Sequence, residues 1–470
     1  MDGTTTLGFI SILPPLIAIV LAFWTRDTIF SLAIACVVGI LLAGEGLLGF
    51  PNLMKEALGN ESFSWIFLLE IFIGILIAFF QRTGAIESFA NLVGKKQTSR
   101  KSIGITAWFM GLFVFFSDYF SPVFVGSTMR KVTDKVKISR EKLAYICDST
   151  SAPVSVIVPI TGWAVFISGL LIGMGPIQNE TQALEVFTKS IPFNFYAILS
   201  VLLVGLLAAG FVKDFGPMRK AEERALKEGK LIRDGSTPLI SKELTNIKPY
   251  FQDRLLSIKW NFILPVIVII TIAVGTYIGL GSAKTMEAFL AAVILLGIAM
   301  RIQGIPFKDI METAMSGIKG IMPAVMILAF AYTINLLSEK MGTATYLIEA
   351  TESWLNPGLL PAITFLLAAI ISFSTGSSWG TFGIMIPIAV PIAIGFAGGD
   401  INTVVLATIA AVAGGGVFGD HCSPLSDTTI LASTGAAVDH IDHVRTQIPY
   451  AIIVGIIGLA IYLMLGLLGS

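Results

Sequence analysis

Long apolar runs separated by short polar stretches recur along the whole chain. Each run has 17 residues or more, and a helix of about 20 apolar residues crosses the roughly 30 Å hydrocarbon core of a bilayer. The alternating pattern typical of a membrane β-barrel is absent. The pattern therefore predicts an all-α polytopic membrane protein. Examples are Leu7 to Trp24, Ile29 to Gly49, Phe63 to Phe80, Ile191 to Val212 and Ile448 to Leu468.

Composition strengthens this prediction. Of 470 residues, 55% are hydrophobic and 13% are charged, whereas soluble proteins carry about 25% charged residues. The net charge is zero, and nothing indicates a nucleic-acid partner. Only Asp2 carries charge before the first apolar run, so we expect a mature helix and not a signal peptide. Cys36, Cys147 and Cys422 have no paired spacing, which favours buried thiols over a disulfide framework.

Basic residues predict the topology. The longest polar stretch, 213–259, contains MRKAEERALKEGK and separates two apolar halves, 1–212 and 260–470. We place this linker in the cytoplasm, because positively charged loops stay inside. The resulting topology is a multi-pass protein of the cell inner (plasma) membrane, surrounded by lipid, with both termini extracytoplasmic. Four of the 31 basic residues depart from the rule, namely Lys55, Lys189, Lys284 and Lys340.

One segment in each half is predicted to be a re-entrant hairpin. Basic clusters flank residues 102–129 on both sides, and the polar break Ser117 to Pro122 divides the segment into short pieces. Such pieces span at most about 22 Å as helices, so we expect both ends of this hairpin in the cytoplasm. The counterpart, 358–396, is broken at Ser372 to Thr381 and has its ends on the outer side. Opposite orientation predicts two inverted-topology repeats.

A broken transmembrane helix follows each hairpin. The first is predicted at about 143–175 and the second at about 402–435. Their polar interruptions are Cys147 to Pro153 and Asp420 to Asp427, with the similar sequences SAPVS and SPLS. The predicted fold is thus all-α, with two inverted repeats that each contain a re-entrant hairpin and a broken helix.

These breaks are where we expect the chemistry. Hydrocarbon cannot satisfy non-helical backbone, so a break survives where protein, water or an ion does so. If the four breaks meet near the midplane, their carbonyls, hydroxyls and carboxylates form a site of hard oxygen ligands suited to Na⁺. Half-helix N-termini beside them would favour an anionic group.

Carboxylates in the breaks are the strongest candidates. An ionised Asp at a helix centre costs roughly 2.5 to 3.5 kcal/mol on insertion, which favours ion or proton binding. Helix N-capping is the alternative reading. The candidate ion- or proton-binding residues are Asp118, Asp148, Asp420, Asp427 and Ser423.

Hydroxyl groups cluster at the same four breaks, although Ser and Thr also commonly bond to their own helix backbone. Glu70 is a proton-linked candidate, with an interhelical hydrogen bond as the alternative. Asn335 is more typical of a helix-helix contact, and glycines such as Gly376 and Gly414 to Gly416 favour close helix packing. The candidate substrate- or ion-lining residues are Ser117, Ser121, Ser149, Thr150, Ser151, Ser374, Thr375, Ser377, Ser378, His421, Ser426 and Thr428.

Two stretches resemble a known family. GDHCSPLSDTTILASTGA, at Gly419 to Ala436, looks like the signature of the NhaC-type Na⁺/H⁺ antiporters of the ion transporter superfamily, and DSTSAPVSVIVPITGW, at Asp148 to Trp163, is similar to the same family. The resemblance implies Na⁺/H⁺ antiport by alternating access with elevator-like movement, and no cofactor beyond the Na⁺ and H⁺ it carries. The family also contains exchangers of organic acids such as malate and lactate, and amino-acid carriers, so an organic anion or amino acid is an alternative substrate.

Other function classes are less favoured. Asp439 to His443 (DHIDH) crowds possible metal ligands, which raises an intramembrane enzyme, but we expect this segment to be a solvated cytoplasmic loop and the protein not to be an enzyme. Paired broken helices favour a gated binding site over the continuous pore of a channel. The sequence leaves a homodimer open.

Overall fold

A computed structural model of the chain describes residues 7–25, 27–89, 99–115, 118–159, 161–239, 247–251, 256–280, 284–350 and 356–469. These residues form helices and connecting loops, without a β-strand among them. The all-α prediction is confirmed. The predicted lining residue Ser117 lies outside the described residues.

The first half contains short 3₁₀ segments at Gly8–Ile12, Leu47–Gly49 and Ile191–Phe193. Its helices are α1 (Leu13–Thr25), α2 (Thr28–Leu42), α3 (Phe50–Gly59), α4 (Glu61–Arg82), α5 (Arg100–Phe113), α6 (Phe120–Lys135), α7 (Arg140–Ser149), α8 (Ala152–Ser155), α9 (Gly162–Leu171), α10 (Glu180–Ser190) and α11 (Phe195–Ala208).

The linker carries α12 (Gly216–Glu228), and a π-helical turn at Lys259–Ile263 opens the second half. The helices that follow are α13 (Leu264–Leu280), α14 (Thr285–Ile302), α15 (Phe307–Lys340), α16 (Thr343–Glu349), α17 (Leu360–Thr375), α18 (Ser378–Phe396), α19 (Thr403–Cys422), α20 (Asp427–Ala436) and α21 (His440–Gly469).

Several helices are long and apolar enough to cross a membrane. Seven meet that criterion by length and composition in the described part of the chain, or up to nine if each of two bent pairs is one span. The bends lie between α2 and the segment Leu47–Gly59, at 119°, and between Glu180–Phe193 and α11, at 53°. The multi-pass prediction is therefore confirmed, while these two bends were not predicted.

The linker packs on one face of the helix bundle. Glu222 of α12 pairs with Arg100 at the start of α5, and Asp214 accepts a 2.7 Å hydrogen bond from Lys142 near the start of α7. Arg233 forms a two-pronged pair with Asp442 at the start of α21, at 2.9 and 3.0 Å. The first hairpin and the first broken helix thus begin at the linker face.

The second hairpin begins at the opposite face. From its start beside Arg233, α21 runs 30 residues, or about 45 Å at 1.5 Å per residue. Near its far end Gly466 packs directly on the backbone of Gly358, just before α17. Because the tips of both hairpins line one cavity, the hairpins enter from opposite faces. This antiparallel arrangement agrees with the predicted inverted repeats.

The helix breaks differ in length from the prediction. The tip of the second hairpin is only Gly376 and Ser377, since α17 continues through Thr375. At 19 residues, α18 alone is also as long as a membrane span. The first broken helix is interrupted for longer than predicted, because only the four-residue α8 lies between the end of α7 at Ser149 and the start of α9 at Gly162. The second is broken only at 423–426.

Glycines allow close contact where the second hairpin meets the second broken helix. A Cβ atom on Gly419 would lie 2.2 Å from the Ala369 carbonyl oxygen, and one on Gly415 would lie 2.4 Å from that of Phe365. Any larger residue would force α17 and α19 apart. The close-packing interpretation is therefore confirmed for Gly415.

Candidate functional site

A cavity of about 730 Å³ reaches the tips of both hairpins. At its mouth lie Glu56 and Glu339, and Lys340, the last residue of α15, pairs with Glu56 at 2.6 Å. At the start of α15, Asp309 pairs with Arg82, whose guanidinium donates to the Lys248 carbonyl of the linker. Since α15 therefore begins at the linker face and runs 34 residues, its end marks the opposite face. The cavity therefore opens away from the linker.

The first hairpin tip contributes Asp118 and Tyr119 to this cavity. Asp118 is 5% exposed, and its Oδ2 accepts a 3.0 Å hydrogen bond from the indole Nε1 of Trp163 at the start of α9. Tyr119 donates its hydroxyl to Asp427 Oδ2 at 3.1 Å. The tip of one repeat is thus bonded to the broken helix of the other.

Asp427 stands where the two repeats meet. It is the first residue of α20, and it lines a small pocket together with Asn335, Thr375, Ser377 and Leu425. The cavity also contains Asn335 and Ser377. The small pocket that Asp427 lines therefore adjoins the cavity through Asn335 and Ser377.

Asp148 organises a second, fully buried cluster beyond the cavity. Its Oδ2 accepts hydrogen bonds from Gln447 Nε2 at 2.6 Å, Thr429 Oγ1 at 3.1 Å and His443 Nε2 at 3.3 Å. Its Oδ1 has no hydrogen-bond partner among the described residues. Three donors on one oxygen stabilise an ionised carboxylate.

His421 closes this cluster against α11. Its Nε2 lies 3.3 Å from the Asp148 carbonyl oxygen, which can only accept, so Nε2 carries the proton. In the neutral ring Nδ1 then accepts from the Tyr196 hydroxyl at 3.0 Å. The imidazole is therefore held in one tautomer by groups from the first repeat.

Asp420 and Asp427 flank the second break. Thr428 Oγ1 donates to Asp420 Oδ2 at 2.7 Å, and the Thr428 amide donates to Asp427 Oδ1 at 2.8 Å. The Ser426 hydroxyl caps α20 by accepting from the Thr429 amide at 3.2 Å. Two carboxylates are thus held on either side of a four-residue interruption.

These acids lack cationic partners of the lysine or arginine type. Among the described residues, the only basic groups within 4 Å of Asp148 are His421 at 3.9 Å and His443 at 3.3 Å. None of the ion pairs recorded in the described ranges involves Asp118, Asp420 or Asp427. An uncompensated buried charge costs several kcal/mol, so protons or cations must balance this cluster.

The four predicted carboxylates therefore converge, but their N-cap alternative is wrong. Asp148 and Asp420 lie within α7 and α19, Asp118 precedes Tyr119, and the cap of α20 is Ser426. Local capping does not explain these acids.

The predicted hydroxyl groups divide into two sets. Thr150, Ser151, Ser374 and Thr375 each donate to a backbone carbonyl three or four residues earlier, as helix hydroxyls commonly do. Others join different segments or the carboxylates. Ser423 donates to the Phe373 carbonyl, Ser378 donates to the Gly416 carbonyl, and Thr428 donates to Asp420. Ser426 caps α20, and Ser377 caps α18 and lines the cavity. The remaining two, Ser121 and Ser149, are buried.

Glu70 lies outside this constellation. It is 1% exposed in α4, both carboxylate oxygens lack a hydrogen-bond partner among the described residues, and it does not line the cavity. The alternative interhelical hydrogen bond is therefore not seen among the described residues, and the proton-linked role stays a prediction.

The segment Asp439 to His443 was predicted as a solvated loop, and this prediction is wrong. Asp439, His440 and His443 are at most 3% exposed. His440 Nε2 donates to the Pro424 carbonyl in the second break at 2.9 Å, and His443 contacts Asp148. His440 and His443 are therefore part of the site, while Asp442 pairs with Arg233 at the linker face.

Sequence reasoning missed Gln447, His443, Tyr196 and Trp163. Gln447 follows His443 by one helical turn on α21, so both reach Asp148 from the same face. That i, i+4 spacing of polar residues inside an apolar run was the available signal.

Comparison with known proteins identifies the family. A model of the Na⁺/H⁺ antiporter family matches residues 172–467. The chain belongs to the Na⁺/H⁺ antiporter family. An uncharacterized protein of Haemophilus influenzae is 33% identical to this antiporter-family chain, and the match covers 94% of this chain and 88% of the H. influenzae protein.

Two further relatives match about a third of this antiporter-family chain. The Na⁺/H⁺ antiporter NhaC of Alkalihalophilus pseudofirmus is 33% identical over 34% of each chain. The malate-2H⁺/Na⁺-lactate antiporter of Bacillus subtilis is 30% identical over 37% of this chain and 35% of its own. The NhaC-type resemblance is thus confirmed, and the family is one of transporters.

Proposed function

We propose that this chain exchanges Na⁺ for protons by alternating access, with Asp148, Asp420 and Asp427 as the groups that take either cation. Family membership supports antiport as the activity. The observation that supports this site is the buried cluster of carboxylates without a lysine or arginine partner. Their charge has to be balanced by a bound cation or by protonation, and the two alternatives exclude each other.

The surrounding groups fit Na⁺ in chemistry. Carboxylate oxygens of Asp420 and Asp427, the Thr428 hydroxyl and the carbonyls of the interrupted backbone at 423–426 are hard oxygen donors. Asp148 Oδ1 remains free for a proton or an ion, while Oδ2 is held by Gln447, Thr429 and His443. Exchange follows because each carboxylate can hold one cation at a time.

The cavity gives the direction of access. We place the linker in the cytoplasm, since all but four of the 31 basic residues are predicted to lie on its side. The cavity opens at the opposite face, and the small pocket lined by Asp427 adjoins it, so this conformation is open to the outside. Moving the hairpin tips relative to the broken helices exposes the carboxylates to the linker face.

The test is Na⁺-dependent proton movement in proteoliposomes for Asp148→Asn, Asp420→Asn and Asp427→Asn. Each change keeps the side-chain shape and removes the ionisable group. We expect at least one hundredfold loss in each variant. Asp309→Asn is the matched control, because Asp309 pairs with Arg82 at the linker face with 30% of its side chain exposed, and we expect exchange within twofold of the unaltered protein. Normal exchange in all three site variants overturns the proposal.

A further inference from the structure

The cavity has a lining that Na⁺ alone does not require. Its volume of about 730 Å³ is that of a small-molecule pocket, since such pockets measure roughly 300 to 1,000 Å³, and a water molecule occupies about 30 Å³. The cavity is lined by side chains from both repeats, and its volume leaves room for an organic molecule beside the ion path.

Aromatic rings form two walls of this cavity. On one side, Trp379 of α18 packs against Phe166 and Trp163 of α9, with ring centroids 4.9 and 5.5 Å apart. On the other, Trp65 packs edge-on against Tyr119 at 5.7 Å. All five rings line the cavity. Faces of tryptophan and tyrosine rings attract organic cations.

Charge in the cavity has one sign. Its described lining includes Glu56, Asp118 and Glu339, and no lysine, arginine or histidine. Lys340 at the mouth pairs with Glu56, and Asp118 and Glu339 have no lysine or arginine partner among the described residues. A dicarboxylate would meet repulsion here, because like charges in a site of low dielectric disfavour binding.

Asp118 is the anchor point. Asp118 lies between the two walls, because it precedes Tyr119 of one wall in sequence and accepts a hydrogen bond from Trp163 of the other. A carboxylate flanked by indole and phenol rings is the arrangement that recognises an ammonium or guanidinium group, by charge-assisted hydrogen bonds and by cation–π contact.

We propose that this cavity binds a small organic cation, with its ammonium or guanidinium group at Asp118 and its carbon skeleton between Trp163 and Trp379. The site rests on the proposed function in that it opens into the same transport pathway. Simple amines and basic amino acids both present the required group.

Calorimetric binding to the protein in lipid nanodiscs tests this proposal. The probes are L-arginine, L-lysine, L-histidine, agmatine and cadaverine, with L-malate and L-lactate as the anions. We expect one or more cationic probes to bind and neither anion to do so. Asp118→Asn and Trp379→Leu should each weaken that binding at least tenfold. Trp260→Leu is the control, because Trp260 is 61% exposed on the π-helical turn and lies outside the cavity.

Na⁺-dependent proton movement, measured without any organic probe, separates the two proposals. We expect Trp379→Leu to retain it, which also shows that the variant is folded. Binding of malate or lactate in place of the cations, or no binding while exchange is intact, overturns the organic-cation site and leaves the antiport proposal standing. Binding of a cationic probe without any exchange supports the organic-cation site and overturns the antiport proposal.

Discussion

Substitution of Gly376 tests the contact between the tip of the second hairpin and the second helix break. This residue ends α17 with a φ of 70°, in the left-handed region. A Cβ atom there would lie 2.5 Å from the Leu425 carbonyl oxygen and 2.7 Å from the Leu425 Cβ. The tip of the hairpin therefore bears directly on the break that separates Asp420 from Asp427.

The expected cost of Gly376→Ala has two parts. A left-handed backbone costs a non-glycine residue roughly 1 to 2 kcal/mol. Forcing a methyl group into a filled space adds about 1 to 3 kcal/mol. Gly398→Ala isolates the first part, because Gly398 has a φ of 68° and no heavy atom within 4 Å of the added carbon. The difference between the two variants is therefore the contact with Leu425.

Both variants are measured by the apparent melting temperature in detergent and by Na⁺-dependent proton movement in proteoliposomes. We expect Gly398→Ala to be mildly destabilised with near-normal exchange. Gly376→Ala should melt at a lower temperature than Gly398→Ala and lose exchange about 5- to 150-fold, since about 1.4 kcal/mol corresponds to a factor of ten. Equal melting temperatures and equal exchange in the two variants would refute the inferred contact between the hairpin tip and the helix break.

Two further predictions concern groups beyond the cavity. Gln447→Leu removes the 2.6 Å hydrogen bond to Asp148, and a hydrogen bond to a charged group is worth about 1.5 to 3 kcal/mol. We therefore expect exchange in the proteoliposome assay to fall about 10- to 150-fold. An unchanged rate would contradict a role for this donor. Arg233→Ala removes the linker pair with Asp442, whose side chains are 30% and 11% exposed. At this partly solvated surface we expect about 1 kcal/mol of destabilisation with exchange within twofold, whereas lost exchange would assign the linker a direct part in transport.

Sequence alone determined the features that depend on local pattern. The length of the apolar runs set the membrane helices, because hydrocarbon thickness requires a minimum length. Polar, proline-containing interruptions located both broken helices, and charge placement predicted the side on which the linker lies. Asp148, Asp420 and Asp427 were recognisable because an acid inside an apolar helix has few structural explanations.

Boundaries of the breaks were less predictable. Ser374, Thr375 and Ser378 lie at helix ends and not in an extended loop, because α17 continues until Gly376 adopts the left-handed conformation. Tertiary packing on Leu425 decides where the turn falls, and local composition carries no record of that contact.

Only the tertiary structure decided which groups surround each carboxylate. Asp148 and Gln447 are separated by 299 residues in sequence, and the histidines of 439–443 were assigned to a solvated loop until folding placed them against the helix breaks. The reason is physical: helical periodicity tells which residues share a face of one helix, but the partner of that face depends on how the two repeats pack, and no spacing along the chain encodes that distance.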